Sequence, residues 1–329
     1  MSFATPEPLL QVSQLRVTLD TARGPADALR DVGFSLGRGQ TLGLIGESGS
    51  GKSITALAVM GLLPETARLQ GSVRFGGDEL TMLDEPALCR IRGRRIGMVF
   101  QEPMTALNPL HTIGRQIAEP LRLHQGLSAS AAEAEALRWL DRVQMPQAAQ
   151  RLNAWPHQLS GGQRQRVVIA TALACGPELL IADEPTTALD VTTQREVLDL
   201  IQGLCSDSGM ALLLISHDLG VMADRVQQVL VMYGGTVVDR GPTAEVFARR
   251  AHPYTRGLHA ARPRLGQRQG SERPRLATIP GRVPALADLP PGCAFAERCE
   301  RVQPECRQQL PPETFVGPGH ALRCLHPWP

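Results

Sequence analysis

Short apolar runs, each broken by glycine or polar residues, set the texture of this chain, and they are of strand length. Thr41-Leu-Gly-Leu-Ile45 is one such run, and it breaks into Gly46-Glu-Ser-Gly-Ser-Gly51-Lys52-Ser53. Residues 54–63 are then apolar up to Pro64, which predicts a buried helix stopped by a residue that cannot donate the N–H a helix needs. Strand, glycine loop and helix together make the first unit of a parallel α/β sheet. Leu179-Leu-Ile-Ala182 and residues 211–215 are further apolar runs between polar residues, as expected for strands buried on both faces. Residues 229–232 and 236–238 flank Gly234-Gly235 and predict a hairpin.

Between residues 88 and 158 the period changes. Ser130-Ala-Ala-Glu133 has the form of a capping box, and Leu137, Leu140 and Val143 recur three apart, as one helix face requires. This predicts a mostly helical insertion at about residues 88–165. Residues 262–292 are rich in Pro, Arg and Gly without apolar periodicity, which predicts a linker or extended arm.

Composition narrows the class. The 329 residues fit one large domain plus an appendage. At 43% hydrophobic and 20% charged, the chain is an ordinary folded one. A net charge of +2 gives no general attraction to nucleic acid or anionic lipid, and 4% aromatics argue against a base-stacking surface. No apolar run approaches the ~20 residues that cross a bilayer. The first residues, MSFATPEPLLQ, lack the basic and apolar regions of a secretory signal, so a cytoplasmic location is expected. Of seven cysteines, Cys89, Cys175 and Cys205 are scattered, whereas Cys293, Cys299, Cys306 and Cys324 crowd together. In a reducing compartment such a cluster suggests metal before disulfide.

Gly46 to Ser53 match the phosphate-loop pattern G-x-x-x-x-G-K-[ST]. Gly46, Gly49 and Gly51 let the backbone curl, so that the N–H groups along Glu47, Ser48 and Ser50 can point at phosphates. The helix that follows offers its positive end to the anion. Lys52 is expected to reach the β- and γ-phosphates, and Ser53 to offer its hydroxyl to Mg²⁺. The run 179–182 ends in Asp183-Glu184, which places Asp183 in the Mg²⁺ shell and Glu184 where it can orient and polarise the attacking water.

Leu159-Ser160-Gly161-Gly162-Gln163 resembles the signature of the ABC ATPases, LSGGQ. Gln101, in Val99-Phe-Gln-Glu-Pro-Met, looks like the family's Q-loop glutamine; Ala188-Leu-Asp190 looks like its D-loop; His217, in Ser-His-Asp, looks like its switch histidine. All stand in the family's order. The resemblance implies a RecA-like α/β core with a β-rich N-terminal part, residues 1–255 in all. It also implies ATP and Mg²⁺ as ligands, with Gln101 touching Mg²⁺ and the attacking water and His217 touching the γ-phosphate. Ser160, Gly161, Gly162 and Gln163 would face the γ-phosphate bound by a second subunit, so that two chains sandwich two nucleotides. One position departs: the family stacks adenine on an aromatic residue near the end of the first strand, and Leu19 stands there.

Beyond His252, the stretches His252-Pro-Tyr-Thr-Arg-Gly-Leu258, Ile279-Pro-Gly-Arg-Val-Pro284 and residues 289–299 resemble the extension on ATPase subunits of the dipeptide/oligopeptide/nickel uptake group. The resemblance implies a separate extension at residues 256–329. It also implies uptake of short peptides, or of nickel or another small solute, on the inner face of the cell membrane. The implied partners are a paralogous ATPase subunit or a second copy, two membrane permeases and, indirectly, a solute-binding protein, with no nucleic acid. The cysteine spacing C-x5-C-x6-C-x17-C suits zinc or a [4Fe–4S] cluster, and the resembling group associates it with the latter. Two rivals are weaker. Chromosome-type members carry a long coiled coil between phosphate loop and signature, and only about 106 residues, 54–159, intervene here, without heptads. A catalytically dead partner would lack the residues just named.

Overall fold

The computed structural model describes residues 7–187, 189–262 and 277–329. Eight strands make the main sheet, in the order Thr314–Gly317, His320–Leu322, Thr236–Pro242, Gln228–Tyr233, Thr41–Ile45, Ala211–Ser216, Leu179–Asp183, Ile96–Val99. From Gln228–Tyr233 to Ile96–Val99 all pairings are parallel, with Leu44 opposite Ile215 and Ala182 opposite Leu214. Every residue of Leu179–Asp183 and of Ala211–Ser216 is buried, which is why these runs are continuously apolar and do not alternate. The hairpin read at Gly234-Gly235 is present, and both glycines have positive φ.

A second, antiparallel sheet orders Gly24–Leu36, Leu10–Thr21, Arg68–Phe75 and Asp78–Glu79. Its inward residues Leu10, Val12, Leu15, Val32 and Phe75 close a core over one face of the main sheet, shared with Leu42, Leu44 and Ile215. The other face packs on helices Ile113–Gln125, Ala129–Arg142, Gly161–Leu173 and Val191–Ser208.

Three readings shift. The helix after the phosphate loop is Lys52–Met60; Gly61 at φ 62° closes it before Pro64 is reached. The cap of Ala129–Arg142 is Ser128, whose hydroxyl accepts from the Ala131 N–H, so Ser130 lies inside the helix. Part of the expected linker, residues 263–276, lies outside the described residues; residues 277–292 hold one short 3₁₀ turn, Leu286–Asp288.

The C-terminal segment reaches further into the fold than a loose appendage would. His320–Leu322 pairs with Thr236–Pro242 and extends the main sheet. Helix Pro253–Ala260, which starts at the cap His252, bears Tyr254 and Thr255, both fully buried. Thr255 donates to Asp239 Oδ2 at 2.7 Å, and His320 Nε2 lies 2.8 Å from Asp239 Oδ1, all inside the protein.

Candidate nucleotide site

The strand order brings the ends of Thr41–Ile45, Ala211–Ser216 and Leu179–Asp183 side by side, so the residues that follow them share one edge of the sheet. From Thr41–Ile45 comes the glycine loop. Gly46 turns where a Cβ would lie 2.3 Å from the Met232 carbonyl oxygen, and Gly51, at φ 103°, caps the helix. Neither position tolerates a side chain, which explains the two fixed glycines of the motif. The Lys52 ammonium folds back over the loop and donates to the carbonyls of Gly46 at 2.8 Å and Glu47 at 3.1 Å. Burial lowers its pKa, offset by the carboxylates of Glu184, Asp183 and Glu47. The Ser50 hydroxyl is buried without a partner.

Asp183 ends its strand 5% exposed, and its Oδ1 is buried and unpartnered. Burial raises its pKa, while a hydrogen bond from Ser53 and the charge of Lys52 oppose the shift. A buried carboxylate oxygen with no donor, beside a serine hydroxyl and a lysine, suits a hard cation that takes oxygen ligands.

Glu184 holds a left-handed backbone, φ 46°, uncommon for a residue with a side chain. Its N–H donates to the Ile215 carbonyl at 3.0 Å, and the turn aims its carboxylate out of the sheet toward Thr187 and His217. The Glu184 side chain is 15% exposed and the His217 ring 67%, so the pair lies at the mouth of the site. Gln101 lies on an exposed bend just after Ile96–Val99.

Ser160 to Gln163 open a helix of their own. Ser160 accepts from the Gln163 N–H, and Gln163 Oε1 accepts from the Ser160 N–H, a reciprocal cap that starts helix Gly161–Leu173. A Cβ on Gly162 would meet Thr193 Cγ2 at 2.8 Å, and one on Gly161 would touch Leu189. This helix start therefore faces the Leu189-Asp190 turn, in which Asp190 caps Val191–Ser208. Ala188 of that turn lies outside the described residues.

Two residues beside the loop carry no motif and escaped the sequence reading. Tyr254 accepts the Glu47 N–H through its hydroxyl at 2.9 Å, and Arg298 pairs with the Glu47 carboxylate. The His252-Pro-Tyr-Thr run and the arginine before Cys299 were visible, but nothing in the sequence joins them to residue 47.

Cys293, Cys299, Cys306 and Cys324 are free thiols that line one cavity with His252 and His326. Burial pushes Cys293 and Cys324 up to about 11 and raises Cys299, and each feels the charge of neighbouring thiols. Among the described residues no group of three or more His, Cys, Asp or Glu stands ready to hold a metal ion, so the expected metal set is a shared cavity and not a formed ligand shell. Among the described residues, no helix is long and apolar enough to cross a membrane.

A glycine cradle, a buried lysine, an unpartnered aspartate and a Glu–His pair on one sheet edge define an ATP-hydrolysing cassette. The ABC transporter family model matches residues 29–187, and the model of the oligopeptide/dipeptide transporter C-terminal region matches residues 238–306. A Brucella melitensis protein named for peptide import and ATP binding is 49% identical over 328 residues, 97% of each chain. A Brucella abortus protein of the same description is 48% identical over 318 residues, 96% of this chain and 94% of that one. Among solved structures, the dimeric ATP-binding cassette MJ0796 bound to ADP and Pi covers 71% of this chain and 98% of its own, with TM-score 0.64 and 29% identity. The cbiO1 subunit of Clostridium perfringens, part of the cbiONQ transporter complex, covers 74% and 92%, with TM-score 0.63 and 25% identity. The chain belongs to the ABC transporter ATP-binding family and is an ATPase coupled to transport.

Proposed function

We propose that this chain energises uptake of dipeptides and oligopeptides as one of two ATPase subunits docked on two membrane permeases at the inner face of the cell membrane. The C-terminal family match carries the reading, supported by the names of the Brucella relatives. Nickel or another small solute is the second candidate, since the extension resembles that of the whole uptake group. The extension is taken to begin near residue 256 and the helical part to span about residues 88–165. Leu110 and Leu123, 78% and 75% exposed in that helical part, supply apolar surface for a membrane partner.

In this reading Ser53, Asp183 and Gln101 would hold Mg²⁺, which would neutralise charge on the β- and γ-phosphates. Lys52 exchanges its two carbonyl acceptors for phosphate oxygens, and the Gly46–Gly51 backbone cradles the remaining charge. Glu184 holds the water for in-line attack and takes up its proton. His217 orients that carboxylate and reaches the γ-phosphate. The Ser160 helix start closes the composite site of the partner subunit, whose own helix completes this one, as the dimeric MJ0796 cassette makes reasonable.

The four thiols line one cavity, and a metal staple for the extension would have to draw them together from the positions they hold. A [4Fe–4S] cluster is the first candidate and zinc the second; protein purified anaerobically without either would overturn this part. The transport reading is tested by deleting the gene in its host and following uptake of labelled tripeptide and of nickel. Loss of tripeptide uptake, restored by the wild-type gene and not by Lys52→Ala, is the expected result. Unchanged tripeptide uptake overturns the peptide reading, and loss of nickel uptake alone puts the second candidate in its place.

A further inference from the structure

The Arg298 guanidinium reaches the phosphate loop from the opposite end of the sequence. Its side chain is 6% exposed and all five of its N–H groups are engaged. Nη1 donates to Glu47 Oε2 at 2.8 Å and to the Tyr233 hydroxyl at 3.2 Å; Nη2 donates to Glu47 Oε1 at 3.2 Å and to the Ile279 carbonyl at 3.3 Å; Nε donates to the Pro280 carbonyl at 2.8 Å. The two bonds to Glu47 form a fork on one carboxylate, the geometry for which arginine is shaped.

Glu47 is an awkward residue for its place. It puts a negative charge within the loop that must bind a polyanion, and its carbonyl already touches the Lys52 ammonium. Left unpaired, that carboxylate would repel the phosphates and compete for Lys52. Arg298 cancels the charge and fixes the side chain. The Glu47 N–H meanwhile donates to the Tyr254 hydroxyl, not to a phosphate as the sequence suggested. Tyr233 packs edge to face on Tyr254 and Phe295, and these two tilt against each other, with ring centroids 4.7–5.2 Å apart, so the guanidinium sits on a rigid base. Its backbone neighbour is Cys299, on the wall of the cysteine cavity.

We propose that Arg298 is a positioning residue of the ATP site: through it the C-terminal extension neutralises and holds Glu47, and so sets the affinity of the phosphate loop for nucleotide. This deepens the reading of the loop as an ATP site and rests on it. The extension is then a part of the nucleotide site, and any change that moves residues 293–299 is felt at the loop.

Magnesium ATP binding to the full chain by titration calorimetry tests this. Arg298→Met should weaken binding about tenfold, within the usual range for a coupled site. Adding Glu47→Gln to Arg298→Met removes the orphaned charge and should recover most of the loss. A purely structural role for Arg298 gives no such recovery, because the double variant lacks every bond the single one lacks. Arg298→Met binding within twofold of wild type overturns the proposal, and so does a loss that Glu47→Gln leaves in place. If Arg298→Met does not fold, Arg298→Lys carries the same comparison, with a smaller loss and the same recovery. Failure of the wild-type chain itself to bind magnesium ATP would instead strike the reading of the loop.

Discussion

His217 Nδ1 stands 3.2 Å from Glu184 Oε2, joining the residues that follow two adjacent parallel strands. The contact holds the carboxylate in one orientation at the mouth of the site, while the left-handed turn at Glu184 fixes the direction from which it acts. Glu184→Gln should therefore keep magnesium ATP affinity and lower hydrolysis by roughly 10²–10⁴-fold, the usual worth of a positioned base. His217→Ala should lower hydrolysis less, with affinity changed little. Phosphate release and nucleotide Kd, measured on each variant, check both; wild-type turnover in Glu184→Gln would remove that residue from the chemistry.

Gly162 separates binding from assembly. A Cβ there meets Thr193 Cγ2 at 2.8 Å, so Gly162→Val must displace the start of the signature helix from the Asp190 turn. Gly161 and Gly162 pack on the turn that Asp190 caps, and if this helix start serves the partner's nucleotide as proposed, the isolated variant should bind magnesium ATP within about twofold of wild type. ATPase activity of the assembled transporter should fall at least about tenfold if, as proposed, the helix start supplies N–H groups to the partner's anion. Equal loss of binding in the isolated chain would mean that the helix serves its own site.

Leu19 pairs with Ala26 in the long hairpin Leu10–Thr21/Gly24–Leu36 and is packed against the N-terminal core. An aliphatic side chain offers adenine no π-face. Weak discrimination between ATP and other purine nucleotides is expected, and Leu19→Tyr should tighten ATP binding about two- to twelvefold, from a stacking contribution of roughly 0.5–1.5 kcal/mol. Competition between ATP and GTP measures this; strong ATP selectivity in the wild type would contradict it.

Asp239 ties the extension to the cassette. Its two oxygens meet Thr255 and His320 where all three side chains are buried. Asp239→Ala leaves both partners unsatisfied and should cost about 2–4 kcal/mol. Thermal unfolding should show it as a fall in Tm of several degrees; a change under about one degree would mean that the extension is anchored elsewhere.

Much of the nucleotide site was legible in the sequence, because its chemistry is local. A loop, a strand end and a helix start each carry their function within a few residues, and parallel packing makes the strands between them recognisably apolar. The extension was not legible in the same way. His320–Leu322 has three residues, too few to show a period, yet it joins the main sheet by pairing with Thr236–Pro242. The Glu47–Arg298 and Asp239–His320 pairs span 251 and 81 residues, and no local pattern announces a contact at such range. The Ser128 cap was missed for a smaller reason: Ser128 and Ser130 both precede alanine-rich sequence, and only geometry decides which hydroxyl meets the free N–H.

An importer ATPase must dock on membrane permeases, so the partners of this chain decide whether it is one. Tagged Glu184→Gln, expressed in the native host and purified with and without magnesium ATP, should bring down two membrane permeases and a paralogous ATPase or a second copy of itself. A solute-binding protein recovered with them would identify the solute. Recovery of ribosomes or DNA-repair factors, with no membrane protein, would contradict the account even if the ATP chemistry stood.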